Sequence, residues 1–256
     1  MTVKNQRYFN GVQIDDMPLE SLVQEIQSGA LPPFSFIVTP NIDHFYRLDV
    51  HKNAEFISAY KNATFRVCDS RIAQKLSILE QKTIKNVVPG SDLTKTLLAS
   101  NWARRNRILL VGATPEEAQK IKEKYNLANF QHYSPPMGFI KNENEILKCI
   151  ELIKKTNANI TFLAVGSPQQ EILADRVNKS ATEDTNNGSV MLCIGASFDF
   201  LSGKIIRAPI FIQKMHMEWL FRALSDPKRL IPRYWKNFTW ILRYVFKRAL
   251  SNTNNY

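Results

Sequence analysis

Five short stretches of this sequence carry side chains or backbone suited to acid–base and anion-binding chemistry, and each stands at the end of an apolar run. Asp69 directly follows Thr64-Phe-Arg-Val-Cys68. A carboxylate there can take a proton from an incoming hydroxyl or cap the helix that comes next. Thr39 and Asn41 flank Pro40 after Phe34-Ser-Phe-Ile-Val38. Pro40 presses Thr39 toward extended backbone, so a hydroxyl and an amide stand where they can bind a sugar or ribose, or form a turn with Asn41 as a cap. Gly112-Ala-Thr-Pro115 is a small loop opening a helix, a place where backbone N–H groups can receive a phosphate. Gly166-Ser-Pro-Gln-Gln-Glu171 also leads into a helix, with Gln170 and Glu171 as polar contacts or simply as a helix start. Asp199 sits between Phe198 and Phe200; burying it without hydrogen bonds would be costly.

Other chemistries lack their signatures. There is no G-x-G-x-x-G and no G-x-x-x-x-G-K-[ST], which argues against a dinucleotide-dependent dehydrogenase and a P-loop NTPase. Cys68, Cys149 and Cys193 stand singly in apolar runs, the pattern of buried reduced thiols and not of a disulfide framework. No His, Cys or carboxylate cluster has metal-ligand spacing, and Asp15–Asp16 reads as a turn. No metal and no cofactor are expected.

The elements that must hold these residues alternate regularly. Strands are expected at 34–39, 64–68, 107–112, 130–133, 160–165 and 190–194. Helices are expected from about Asn41 to Ala59, from Ser70, from Ser91–Asp92 to Arg105, after Thr114, from Asn144 to Thr156 and from Pro168 to Lys179. Thr182–Gly188 reads as a loop. Continuous apolar strands alternating with helices predict an α/β fold: a Rossmann-like, mostly parallel sheet with helices on both faces. In such sheets ligands bind beyond the carboxyl ends of the strands, where all the residues above would gather.

The charge is unevenly placed. The 256-residue chain has a net charge of +11, and from Lys204 to the end eleven Lys/Arg face only Glu218 and Asp226. Residues 1–203 are therefore read as the α/β domain and 204–256 as a basic helical C-terminal appendage. Taken as one helix, Pro227–Ala249 gathers Trp235, Phe238, Ile241, Leu242, Val245, Phe246 and Ala249 on one face. Arg229, Arg233, Lys236, Arg243 and Lys247 lie opposite, with Tyr234, Trp240 and Tyr244 beside or within the basic stripe. Such a helix suits an anionic membrane surface. No run approaches the roughly 20 apolar residues of a membrane span and Met1–Asn10 has no signal-peptide character, so a cytoplasmic, peripheral protein is expected.

Taken together and in order, these segments resemble the WecG/TagA/CpsF family of bacterial glycosyltransferases. The resemblance rests on Thr39-Pro-Asn41, Pro89-Gly-Ser-Asp92, Val165-Gly-Ser-Pro-Gln-Gln-Glu171, Phe198-Asp-Phe-Leu-Ser-Gly-Lys-Ile-Ile-Arg-Ala-Pro209, Met217-Glu-Trp-Leu-Phe-Arg222 and Asp226-Pro-Lys-Arg229, with Arg233-Tyr234. It implies inverting, metal-independent transfer from a UDP-sugar donor to an undecaprenyl-diphosphate-linked acceptor on the inner face of the cytoplasmic membrane. It implies Asp69 as catalytic base and Thr39, Asn41, Gln170 and Asp199 as pocket residues. Arg222, Arg229 and Arg233 would be appendage arginines that hold the diphosphate. Where the family usually has Gly after the base this chain has Ser70, and Val87 and Val88 stand where an Arg is common.

Two other readings follow from the same residues. A basic, aromatic tail also fits a nucleic-acid-binding module, which requires salt-dependent oligonucleotide binding; the family resemblance implies no nucleic-acid partner. The sheet also fits another nucleotide-using enzyme. A homo-oligomer is compatible with the sequence.

Overall fold

The computed structural model describes residues 5–181, 188–204, 223–224 and 226–253. Within them, six parallel strands form one sheet in the order β4-β3-β8-β7-β5-β6. These are β3 (Phe36–Val38), β4 (Phe65–Arg66), β5 (Ile108–Gly112), β6 (Phe130–Tyr133), β7 (Ile160–Ala164) and β8 (Val190–Cys193). The parallel α/β architecture expected from the alternation is the one observed. The Thr182–Gly188 loop lies outside the described residues except for Gly188.

Successive side chains of a strand point to opposite faces, and each face has its own apolar cluster. Ile37, Ile108, Leu110, Phe162 and Leu192 face one layer; Val38, Leu109, Val111, Leu163 and Cys193 face the other. The first layer is built by α1 (Leu19–Gln27), α5 (Gly90–Ala99), α6 (Asn101–Arg105), α7 (Pro115–Tyr125) and α10 (Ser197–Leu201). The second is built by α3 (Ala54–Asn62), α8 (Glu143–Thr156) and α9 (Gln169–Lys179). The chain therefore leaves β3 toward one face and the neighbouring β8 toward the other. The two loops part above adjacent strand ends, which opens the crevice that such sheets use for ligands.

Local signals account for most boundaries. Thr114 and Glu117 form a reciprocal capping box at the start of α7, with Pro115 in its first turn. The stretch expected to be one helix from Asn41 to Ala59 is three pieces: α2 (Ile42–Tyr46), a π-helical turn at Arg47–His51, and α3. Lys52 takes a left-handed conformation and Asn53 caps α3, which together end one helix and start the next. The helix expected to run to Arg105 breaks at Ser100, whose hydroxyl accepts the Ala103 N–H and so caps α6.

One element was not legible. Gln6–Phe9 (β1) and Val12–Asp15 (β2) form an antiparallel hairpin at the edge of the body. Asp15 and Asp16 are consequently not a turn. Asp15 is buried on β2 and accepts hydrogen bonds from the Arg66 backbone N–H (2.8 Å) and the Arg66 guanidinium (3.1 Å). Asp16 accepts from Arg7, from the backbone N–H groups of Lys85 and Asn86, and from the Asn86 amide. Losing one partner of such a buried pair costs about 3–5 kcal/mol.

The hairpin, α2, α4 (Arg71–Leu76) and the C-terminal helix (Pro227–Thr253) share a third cluster, in which Phe9, Phe45, Trp240 and Tyr244 meet. This revises the faces expected for that helix. Arg233 and the buried Asn237, Trp240 and Tyr244 lie on one strip that faces the body, with Ile241 and Val245 partly buried beside it, so this strip crosses the basic stripe that the sequence predicts. Ile231, Trp235, Phe238, Leu242, Phe246 and Leu250 point outward and are exposed. Among the described residues no helix is long and apolar enough to cross a membrane.

Candidate active site

A cavity of about 640 Å³ opens beyond the carboxyl ends of β4, β3, β8 and β7 and is closed on one side by Arg229, Arg233 and Tyr234 of the C-terminal helix. That volume lies within the range of about 300–1,000 Å³ usual for small-ligand sites.

Asp69 lines this cavity. Its backbone N–H donates to the Pro40 carbonyl (2.9 Å), continuing the β3–β4 pairing beyond the strands and holding Asp69 beside the Thr39–Asn41 turn. The alternative role of helix cap falls to its neighbour: the Ser70 hydroxyl accepts the Ala73 N–H (3.1 Å) and starts α4. Ser70 thus relieves Asp69 of the capping task and leaves its carboxylate on the cavity wall.

The Thr39-Pro-Asn41 turn faces Asp69. Thr39 is buried and its hydroxyl donates to the Cys193 carbonyl (3.3 Å), tying the ends of β3 and β8 together. Asn41 caps α2 through its side-chain oxygen, which accepts the Asp43 N–H (3.0 Å) and the His44 N–H (3.4 Å). The capping role and the cavity position are therefore compatible in one residue. Gln170 is buried and acts as a second tie. Its Oε1 accepts the Gly195 N–H (2.9 Å) and its Nε2 donates to Glu171 (2.8 Å). Gly195 has φ +54, so the β8–α10 loop that forms the cavity floor is pinned from β7's side.

Burial sets the electrostatics beneath the floor. Glu171 is fully buried, and burial pushes its carboxyl up to about 6, against the hydrogen bond from Gln170. Burial, with help from Arg47 and Arg233, depresses His44 to about 3; its Nδ1 is 2.8 Å from the Tyr60 hydroxyl. His44 lines the cavity as a neutral group at ordinary pH.

The structure also brings in residues that were not singled out. Arg47 lines the cavity, with its guanidinium on Asp43 (2.7 Å) and on the Ser167 carbonyl (2.9 Å). Arg233 reaches the same Asp43 at 3.7 Å, so one buried carboxylate joins a body cation to a C-terminal cation. The signal was present as an Asp–Arg pair at i, i+4 within a stretch expected to be helical; the contact that Asp43 shares with Arg233 had no local signal. Ser91 and Asp92, expected as caps, lie in the first turn of α5 and line the cavity; Pro89 holds the cap position without a side-chain bond.

Two expected positions lie elsewhere. Gly112 is not on the cavity wall. It has φ +101, and a Cβ there would stand 2.6 Å from the Ala164 carbonyl carbon and oxygen. Its role is close approach of β5 to β7, and its own carbonyl meets His132 Nε2 at 2.9 Å. Asp199 is on α10 beside the cavity-lining Ser197 and Phe200, but its carboxylate turns to Lys204 (3.7 Å), which also binds Glu117 (2.8 Å). Burial raises its pKa, with Lys204 opposing. Arg229 lines the mouth, exposed and held locally by Asp226 (2.6 Å). Arg222 lies outside the described residues.

A model of the glycosyl transferase WecG/TagA/CpsF family matches residues 7–255. The chain is similar to N-acetylglucosaminyldiphosphoundecaprenol N-acetyl-beta-D-mannosaminyltransferase of Bacillus spizizenii, with 26% identity over 242 residues that cover 92% of this chain and 88% of that protein. Proteins of the same name from Staphylococcus aureus strains MRSA252 and MW2 are each 26% identical over 228 residues, covering 86% of this chain and 85% of theirs.

Proposed function

The chain belongs to the WecG/TagA/CpsF family of glycosyltransferases, and from that premise we propose an inverting, metal-independent transfer from a UDP-sugar to an undecaprenyl-diphosphate-linked acceptor at the inner face of the bacterial membrane. The shared name of the relatives supports an N-acetylhexosamine donor and an N-acetylglucosaminyl-diphospholipid acceptor. The reaction would serve envelope polysaccharide synthesis.

In this reading Asp69 accepts the proton of the acceptor hydroxyl as that oxygen forms a bond to the anomeric carbon. The bond from that carbon to the diphosphate oxygen breaks on the opposite face, and UDP leaves with the electron pair. Thr39, Asn41 and Gln170 shape the pocket; Asp199, behind its wall, supports it through Lys204. Arg229 and Arg233, with Arg47 from the body and Arg222 from the tail, offset the charge that grows on the departing diphosphate. Residues from 204 onward act as an appendage that completes the site. Its helix presents the exposed row Ile231, Trp235, Phe238, Leu242, Phe246 and Leu250 to lipid, with Lys236, Arg243 and Lys247 beside it toward anionic headgroups.

The observation that carries this reading is the placement of Asp69: a strand-end carboxylate, replaced as helix cap by Ser70, on the wall of a cavity whose opposite side bears C-terminal arginines. The test is UDP release from UDP-N-acetylhexosamines with a short-chain lipid-diphosphate acceptor. Asp69→Asn should lower turnover roughly 10²–10⁴-fold, the usual worth of a general base, with UDP binding retained. EDTA should leave the wild-type rate unchanged. Near-normal turnover by Asp69→Asn would overturn the assignment of the base.

A further inference from the structure

The segment that follows Asp69 carries a surface that the reaction does not use. Along α4 and the 3-10 turn Ser77–Leu79, Ala73, Leu76 and Leu79 turn inward to the cluster that holds Trp240 and Tyr244. Ile72 and Ile78 turn outward, 43% and 72% exposed. Arg71, Lys75, Lys82 and Lys85 are exposed around them. Glu80, the one acid between Arg71 and Lys85, is turned away onto the Asn10 N–H, the Tyr244 hydroxyl and Arg248. This segment runs alongside the C-terminal helix. At one end Arg71 shares the cavity rim with Arg229 and Arg233; at the other Glu80 binds Tyr244 and Arg248.

We propose that residues 71–82 form a second lipid-contacting element, and that its partner is the surface of an anionic phospholipid bilayer. The inference rests on the membrane-docking reading of the C-terminal helix and adds to it. A single helix lying on a bilayer leaves the body free to roll about the helix axis. A second line of contact beside it fixes the roll. Isoleucines ringed by lysines have the chemistry for this: apolar tips enter the acyl boundary while the ammonium groups reach headgroup phosphates. The fixed roll sets the cavity mouth, between Arg71 and Arg229, toward the layer in which a lipid-linked diphosphate resides.

The three native cysteines are buried, so an environment-sensitive fluorophore can be placed selectively on single Ile78→Cys, Phe246→Cys and Leu147→Cys variants of the full chain. Leu147 is 48% exposed on α8, which shares no apolar cluster with the C-terminal helix. With phosphatidylglycerol-containing vesicles, the labels on Ile78→Cys and Phe246→Cys should shift to the blue and that on Leu147→Cys should not. A shift confined to Phe246→Cys overturns the second element and leaves helix docking intact. No shift at either overturns both. An equal response to purely zwitterionic vesicles overturns the anionic assignment, and a shift of Ile78→Cys with protein concentration alone makes the surface a contact between copies. Independently, the double variant Ile72→Ser, Ile78→Ser should weaken vesicle binding roughly tenfold while turnover of a water-soluble short-chain acceptor is unchanged. Unaltered vesicle affinity overturns the proposal.

Discussion

The cavity has two walls built on different principles. On the body side each polar group is tied to the backbone of a neighbouring strand or helix end: Thr39 to the Cys193 carbonyl, Asn41 to the start of α2, Gln170 to the Gly195 N–H. These groups are buried or half-buried and their partners cannot move without moving the sheet. On the opposite side, Arg229 and Arg233 stand on a helix that packs on the body through the Trp240 and Tyr244 rings and is tied to it by polar and charged tips. The Trp240 indole donates to Asp49 (2.7 Å), Tyr244 donates to Glu80 (2.7 Å), and Arg233 approaches Asp43 at 3.7 Å. The same helix leaves a full apolar row in solvent. One wall is preorganised by the fold; the other is docked on it through bonds that respond to salt and to the helix's own surroundings.

Removing the Gln170 tie attacks the first wall where it is strongest. Gln170→Ala leaves the Gly195 N–H without its acceptor and a buried Glu171 without its donor, each costing about 1–3 kcal/mol. Turnover should fall roughly 10²-fold, with unfolding seen at lower temperature by calorimetry. Gln170→Glu should not rescue it, because a second carboxylate would face Glu171. A fall of less than about threefold would show that the floor does not depend on this tie.

Removing a cation from the docked wall should act differently. Arg233→Ala should lower turnover of the lipid acceptor by about tenfold, with little loss of stability, since this side chain is only half-buried. Asp43→Asn should be the more damaging of the two, because it also releases the half-buried Arg47. Equal effects would mean that releasing Arg47 adds nothing to the loss of the Arg233 contact.

This contrast also explains what the sequence revealed. The body wall was legible because strand ends carry local signatures: an apolar run, then Pro, Gly or Asp, then a helix start. Asp69, Thr39, Asn41 and Gln170 were all found that way. Gly112 bears the same signature, yet its φ of +101 and the nearness of Ala164 arise from strand packing, which a local motif does not encode. Asp43, Arg47, Asp49 and Glu80 were missed for the complementary reason. Their distant partners lie 190, 120, 191 and 168 residues away, in Arg233, Ser167, Trp240 and Arg248 respectively, and no periodicity reports such pairings. The body-facing strip of the C-terminal helix was illegible likewise: Arg233, Trp240 and Tyr244 find their partners in Asp43, Asp49 and Glu80, and patterning along the helix does not encode those contacts.

Glu80 tests the docked wall with a smaller effect. Glu80→Gln keeps the shape but removes the charge that binds Tyr244 and Arg248. We expect about 1–2 kcal/mol of weakening, read as faster hydrogen exchange along Pro227–Thr253 with exchange in the sheet unchanged. Uniform acceleration through the sheet would mean that helix and body unfold as one unit, and the distinction between the walls would fail.

An effect of similar size concerns the buried side and has the opposite sign. Burial raises Glu171 from 4.5 to about 6, so the folded chain holds this proton more tightly than the unfolded chain does. Its contribution to stability is therefore largest below pH ~4.5 and is lost as pH rises from ~4.5 through ~6, a change on the order of 2 kcal/mol. Above that range an ionised carboxylate stays buried at a cost. Glu171→Gln still accepts the Gln170 amide and has no charge to bury, so it should melt higher than wild type at pH 8 and equally at pH 4. His44, lowered to about 3, has the reverse slope between ~3 and ~6.5, but it is common to both proteins and cancels in the difference. A variant that melts lower than wild type at pH 8 would show that the ionised carboxylate is satisfied where it lies, and that charge, in addition to backbone ties, organises the body wall.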